Sequence, residues 1–250
     1  ANAGTGLALG IQASGPSETV IESDTTSITA TSTNGSAYAI SAQYGNQLSL
    51  GSGETTLTAE AENSFAIGLM TADLASDLSS ETSITSTGKV VMNVSGADTY
   101  GIYNADKSKV DIELADVDMT INATGEGYGA YLQTTGNVSL GDTSIEVNAD
   151  EKAQGIYATG VDITTGTLNT TVVSSEGRGI GVNINNGSLT TEDLTLDVSG
   201  KAGAWGANLV KSDLTVNGTT TTYDDTVFAI PDEEFNKDME GVQIHGEQVT

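Results

Sequence analysis

The densest set of side chains able to do chemistry lies in "DIELADVD", residues 111–118. Its carboxylates, Asp111, Glu113, Asp116 and Asp118, are hard oxygen donors of the kind that hold Ca²⁺. A calcium-assisted lyase also needs a strong base beside the cation, and the sole arginine, Arg178, has little acid in its neighbourhood. A glycosidase needs two carboxylates at a defined separation, which the adjacent Asp224 and Asp225 do not specify. With no cysteine and one histidine, a nucleophile–histidine dyad can draw only on His245. "GDTS" at Gly141 lacks the flanks of a serine hydrolase, and "GKVV" at Gly88 lacks the upstream glycines of a phosphate loop. The four carboxylates read most simply as a solvated face of an acidic chain, with Ca²⁺ as the one cofactor they suggest.

A second set of residues suits binding rather than catalysis. Tyr103, Tyr131 and Tyr157 recur at one place in three consecutive repeats. Rows of exposed aromatic rings are surfaces on which carbohydrates and peptides stack. Tyrosine is also a residue that suits exposed strands.

The repeat that places them is a short phrase. "LGIQA" at Leu9 returns as "YAISA", "FAIGL", "YGIYN" and "YGAYL", then as "QGIYA", "RGIGV", "WGANL" and, at Phe228, "FAI". Its starts are 23 to 35 residues apart, a period that marks solenoids and related arrays. The unit from Tyr100 to Gly127 holds three extended pieces, "YGIYN", "KVDIEL" and "DMTINAT", separated by turn-forming residues. Three short strands per unit make one coil of a parallel β-helix, each strand pairing with its equivalent above and below. Propeller blades need longer repeats, and leucine-rich repeats need a Leu and Asn framework that this chain lacks. The sequence therefore predicts an all-β solenoid of eight to nine three-stranded coils over residues 1–230. Residues 231–250, more charged, are expected to cap it or to lead into further coils.

Within the phrase, the residue after the Gly/Ala column is Ile or Ala throughout, and the one two places on is apolar except at Asn104. Strand parity puts these two columns on the core face. The small column, taken as Gly10, Ala39, Ala66, Gly101, Gly129, Gly155, Gly179, Gly206 and Ala229, is then expected outside or at a bend. The column before it, from Leu9 through Tyr38, Phe65, Tyr100 and Tyr128 to Gln154, Arg178, Trp205 and Phe228, is expected to stack along the rod. It places Arg178 beside Trp205 for a cation–π contact.

Charge narrows the partners. Thirty-four acidic residues against eight basic ones give −26, which repels phosphate backbones and anionic lipids. Nucleic acid is excluded on this ground. No apolar run approaches the roughly 18 residues of a membrane span, so no direct membrane insertion is expected. The opening "ANAGTG" suits the residues after a small-residue cleavage site, so the chain reads as a mature fragment.

The "YGIY" and "QGIY" phrases, the Thr/Ser/Asn/Gly-rich strands such as "TSITATSTNGS" and the lack of cysteine resemble the passenger segment of bacterial autotransporter (type V secretion) adhesins. The resemblance covers about Leu9 to Ile230. It implies a right-handed β-helix on a Gram-negative cell surface, held to the outer membrane by a translocator. It also implies attachment to host-cell glycans or matrix proteins, or self-association in biofilm and virulence. No protease or esterase motif of that family is matched. Two alternatives stand beside it: a polysaccharide-degrading β-helix enzyme using the acidic coil, and ice binding through threonine arrays such as "TTTTY" at Thr219.

Overall fold

The computed structural model describes residues 1–72, 81–105, 109–229 and 241–245. The chain winds as a right-handed parallel β-helix of about eight coils. Each coil contributes one strand to each of three parallel sheets. The phrase sheet holds Ala8–Ser14, Ala37–Gln43, Glu126–Leu132, Lys152–Thr159 and Arg178–Asn185, with portions of three longer strands. A short sheet follows, for example Glu18–Val20 and Asp162–Thr164. A long sheet closes the coil, for example Thr25–Ser32, Asp142–Ala149 and Asp193–Gly200. Thr82–Asn104 passes through all three sheets as one 23-residue strand.

The corners have their own chemistry. The residue leaving the phrase strand is left-handed in five coils: Gly15, Tyr44, Gly160, Asn186 and Lys211, with φ between 48° and 88°. Asn186 and Gly160 take that conformation cheaply. Tyr44 and Lys211 do not; the residues just before them, Gln43 and Val210, accept backbone bonds from Gly15 and Asn186 of the preceding coil at 3.2 and 2.9 Å.

The core is a tube of apolar side chains from all three sheets, among them Ile40, Leu57, Met92, Ile112, Ile121 and Leu132, each essentially unexposed. Asn104, the exception in the apolar column, is also fully buried. Its neighbour one coil earlier is Thr71, since Met70 aligns with Tyr103. The Asn104 amide donates to Thr71 Oγ1 at 3.0 Å. The amide nitrogen and the Thr71 hydroxyl thus meet in adjacent coils, while the buried Asn104 Oδ1 has no hydrogen-bond partner among the described residues.

Three expectations need correcting. First, the register slips by two residues in two coils. Tyr38 and Tyr100 align with Ile67, not Phe65, and Gln154 and Trp205 align with Ile180, not Arg178. The small column therefore runs through Gly68 and Gly181 in place of Ala66 and Gly179, leaving Ala39 as its only alanine. Secondly, this column faces inward. A Cβ on Gly101 would lie 2.5 Å from the Gly129 carbonyl oxygen and 2.7 Å from Met119 Sδ. On Gly181 it would lie 2.5 Å from the Gly206 oxygen and 3.1 Å from Leu196 Cδ2. The long sheet's core side chains press against the phrase backbone here, and that crowding selects glycine. Ala66 and Gly179 instead join a second small column with Ala37, Thr99, Ala153 and Ala204.

Thirdly, "FAI" at Phe228 is not a ninth coil. Asn217 and Gly218, with φ of 46° and 75°, form a tight reverse turn of the kind that joins hairpin strands. Thr219–Ala229 then returns antiparallel over Ala204–Val216. It covers the edges of the phrase and short sheets, which would otherwise offer unpaired backbone. "TTTTY" lies on this hairpin strand, so it is no part of a stacked array. Val242–His245 adds one more parallel strand to the long sheet, on Leu194–Asp197. Ile230, most of the 231–250 segment and Lys107 lie outside the described residues.

Candidate functional site

Glycine at the inward position lets the phrase strand bend, so the residues at its first and fourth places both face outward. In the coils of Tyr100 and Tyr128 these places carry Tyr100 with Tyr103, and Tyr128 with Tyr131. The following coil carries Gln154 with Tyr157. Parallel pairing aligns Tyr103, Tyr131 and Tyr157 in consecutive coils. The sequence-predicted trio is thus brought together.

The trio does not stand alone. Tyr103 and Tyr131 stack at 5.5 Å, and Tyr131 and Tyr157 at 4.7 Å. Tyr100 and Tyr128 form a second stack at 5.2 Å, their planes within 4°. The stacks meet edge-on, Tyr100 to Tyr103 at 4.7 Å and Tyr128 to Tyr131 at 5.4 Å. Phe65 extends the inner stack at 6.5 Å from Tyr100. Edge-to-face and offset stacks at these distances are favourable beyond area burial. Tyr128 is only 4% exposed, whereas Tyr103, Tyr131 and Tyr157 keep their outer parts in solvent.

The hydroxyls are tied down. Tyr128 donates to Glu126 Oε2 at 2.5 Å, and Lys152 Nζ donates to the Tyr128 oxygen at 3.3 Å while lying 5.4 Å from its ring. Gln133 donates to the Tyr131 hydroxyl at 3.0 Å, and Thr159 to that of Tyr157 at 3.3 Å. Burial holds Tyr100 and Tyr128 neutral far above the ordinary tyrosine range; Asp98 adds to this at Tyr100, and the bond to Glu126 at Tyr128. Tyr131 moves the same way, again mainly through burial.

Beyond Tyr157 the outer column continues as amides. Asn208 donates to Asn183 at 3.0 Å, and Asn183 to Gln154 at 3.3 Å. Gln154 is fully buried, and its Nε2 has no hydrogen-bond partner. Arg178, displaced from the aromatic column, still lays its guanidinium 3.9 Å from the Trp205 ring.

The acidic stretch is spread over two sheets. Asp111 and Glu113 lie on the short-sheet part of Val110–Ala123, Asp116 and Asp118 on its long-sheet part. Asp111 accepts the Asn137 backbone N–H at 2.8 Å, and Asp118 pairs with Lys89. Among the described residues, no group of three or more His, Asp or Glu side chains is placed to share an ion. His245 sits in register with Asp197 on the long sheet, while Asp225 lies on the hairpin strand opposite Val210.

Sequence reasoning missed a groove. Where the long sheet turns into the phrase sheet, a concave channel of about 600 Å³ spans six successive coils. Behind its sides lie small residues, Ala61, Gly96, Ala123 and Ala149, with the alanines all but buried. Its sides carry Thr31, Glu60, Ser95, Asn122 and Asn148 at one register position, with Glu62 and Asp150 just beyond the turn. The signal was the run of Ala, Gly or Ser closing the long strands, which is visible only once the register is known. Compared with family models, curated proteins and solved structures, the chain matches none of them.

Proposed function

We propose that this chain is a non-enzymatic adhesive rod, a passenger segment displayed on a bacterial cell surface that attaches to host-cell glycan or matrix protein or to further copies in a biofilm. The observation that carries this reading is the tyrosine ladder: two ring stacks over successive coils, with Tyr103, Tyr131 and Tyr157 outermost. The outer stack presents a rigid aromatic strip whose ordering cost is met by folding. Ring faces and edges of this kind suit the apolar faces of sugars and the side chains of an extended protein. The negative field directs the rod to neutral or cationic surfaces.

The test is retention of the purified chain on arrays of immobilised glycans and matrix proteins. Wild type is expected to bind a subset, and Tyr103→Ala/Tyr131→Ala/Tyr157→Ala to lose at least tenfold in apparent affinity while circular dichroism still reports β structure. Equal binding by the folded triple variant removes the ladder from the account. Release of shortened glycan during incubation supports the degradative alternative instead.

A further inference from the structure

The groove beside the long sheet differs from the ladder in every property that selects a ligand. It runs along the rod axis, crossing equivalent positions from Thr31 to Val173. At about 4.8 Å per coil its five steps span roughly 24 Å. An extended polypeptide rises about 3.3 Å per residue, so about seven residues fit that length. Among the described residues no aromatic ring lines the groove, so they offer no stacking platform of the kind that sugars favour. Among the same residues its lining has no lysine or arginine, while Glu60, Glu62 and Asp150 stand along it. None of these three is in the ion pairs of the described residues.

The polar groups between the carboxylates are pre-oriented. Asn148 donates to Asn122 at 3.3 Å and to Glu146 at 3.0 Å, and Ser175 donates to Asp150 at 2.8 Å. The small residues behind the sides, with their alanine methyls turned into the core, add no bulk to the groove and leave a ligand main chain room to approach. A cavity of this volume is of ordinary ligand-site size.

We infer that this groove is a second binding site, which takes an extended lysine- or arginine-bearing peptide segment of a partner protein laid along the rod. The inference goes beyond the adhesive reading and stands if the tyrosine ladder binds nothing.

The test is fluorescence anisotropy of the whole chain with a labelled eight-residue peptide alternating Lys and Thr, against its Glu–Thr counterpart. The basic peptide is expected to bind and the acidic one not. Glu60→Gln/Glu62→Gln/Asp150→Asn is expected to weaken binding at least tenfold, and Asn122→Trp, which fills the groove from a solvent-facing position, to do the same. A control removes equal charge from the short sheet: Glu18→Gln/Glu113→Gln/Asp162→Asn is expected to stay within twofold of wild type. Equal weakening by both charge sets would mean a delocalised field and overturn the site. Loss of peptide binding in the Tyr103/Tyr131/Tyr157 triple variant would move the site to the ladder. Competition by a neutral oligosaccharide, abolished by Asn122→Trp, would overturn the ligand class.

Discussion

The rod has two concave seams, and they differ in what fills them. Where the phrase sheet bends at its glycines, the hollow is filled by the protein's own tyrosine rings. Where the long sheet turns into the phrase sheet, the equivalent places carry Ala, Gly, Ser and Asn, and the hollow stays open. The backbone plan is the same in every coil. Side-chain size at a few register positions therefore decides whether a seam is part of the fold's packing or a space for something else.

Emptying the filled seam should have the largest effect. Tyr128→Ala removes a nearly buried ring stacked on Tyr100, met edge-on by Tyr131 and Tyr157 and bonded to Glu126, and about 3 kcal/mol of stability should be lost, read as a lowered midpoint in urea unfolding. Overfilling from beneath comes next. Gly101→Val drives a side chain into the Gly129 carbonyl and Met119, for a loss of about 2 kcal/mol by the same measurement. Arg178→Ala removes the cation lying over Trp205 and should cost about 1 kcal/mol or less, with an altered Trp205 emission. Filling the open seam should have the smallest effect on folding. Asn122→Trp should change stability by no more than about 0.5 kcal/mol while weakening peptide binding at least tenfold. If Asn122→Trp destabilised as much as Tyr128→Ala, the distinction between the two seams would fail.

Alkaline titration sharpens the same contrast. Tyr100, Tyr128 and Tyr131 all have raised folded-state pKa values, through burial first. Their contribution to stability is complete below the unfolded tyrosine pKa of about 10. It falls as pH rises above that value, because the unfolded chain ionises while the ladder does not. Absorbance at 295 nm should therefore show these phenols ionising late, together with unfolding. A titration in which all eight tyrosines ionise near pH 10 in the folded chain would contradict the packing described.

Much of the fold was legible because solenoid periodicity repeats its evidence: an apolar column after the small one, of Ile, Leu, Val or Ala, recurs from coil to coil with extended pieces between turns. The trio Tyr103, Tyr131 and Tyr157 could be found because its three coils follow one another without a register slip. What escaped was register at "FAIGL" and "RGIGV". Each contains two small residues two places apart, and a phrase matched by its first letter cannot tell which one meets the core. Only the position of Met92 and Val94 under Gly68, and of Leu196 and Val198 under Gly181, decides it. The ninth phrase misled for a different reason. Asn217-Gly218 is a strong hairpin signal, and it outranks a three-residue match at Phe228. The groove was invisible because its lining comes from six coils, each giving two or three residues of one short stretch that lie a whole coil away in sequence from the next set.

The antiparallel strand Thr219–Ala229 has a mechanical meaning. In the coils every ladder of hydrogen bonds points along the rod, so tension applied at a chain end peels one strand at a time, like opening a zip. The hairpin is fastened by a two-residue turn to the coil that it covers. A pull from that side first meets Val242–His245 on Leu194–Asp197 and then the hairpin's pairing with Ala204–Val216, which must be stripped before the phrase and short strands that it covers can loosen.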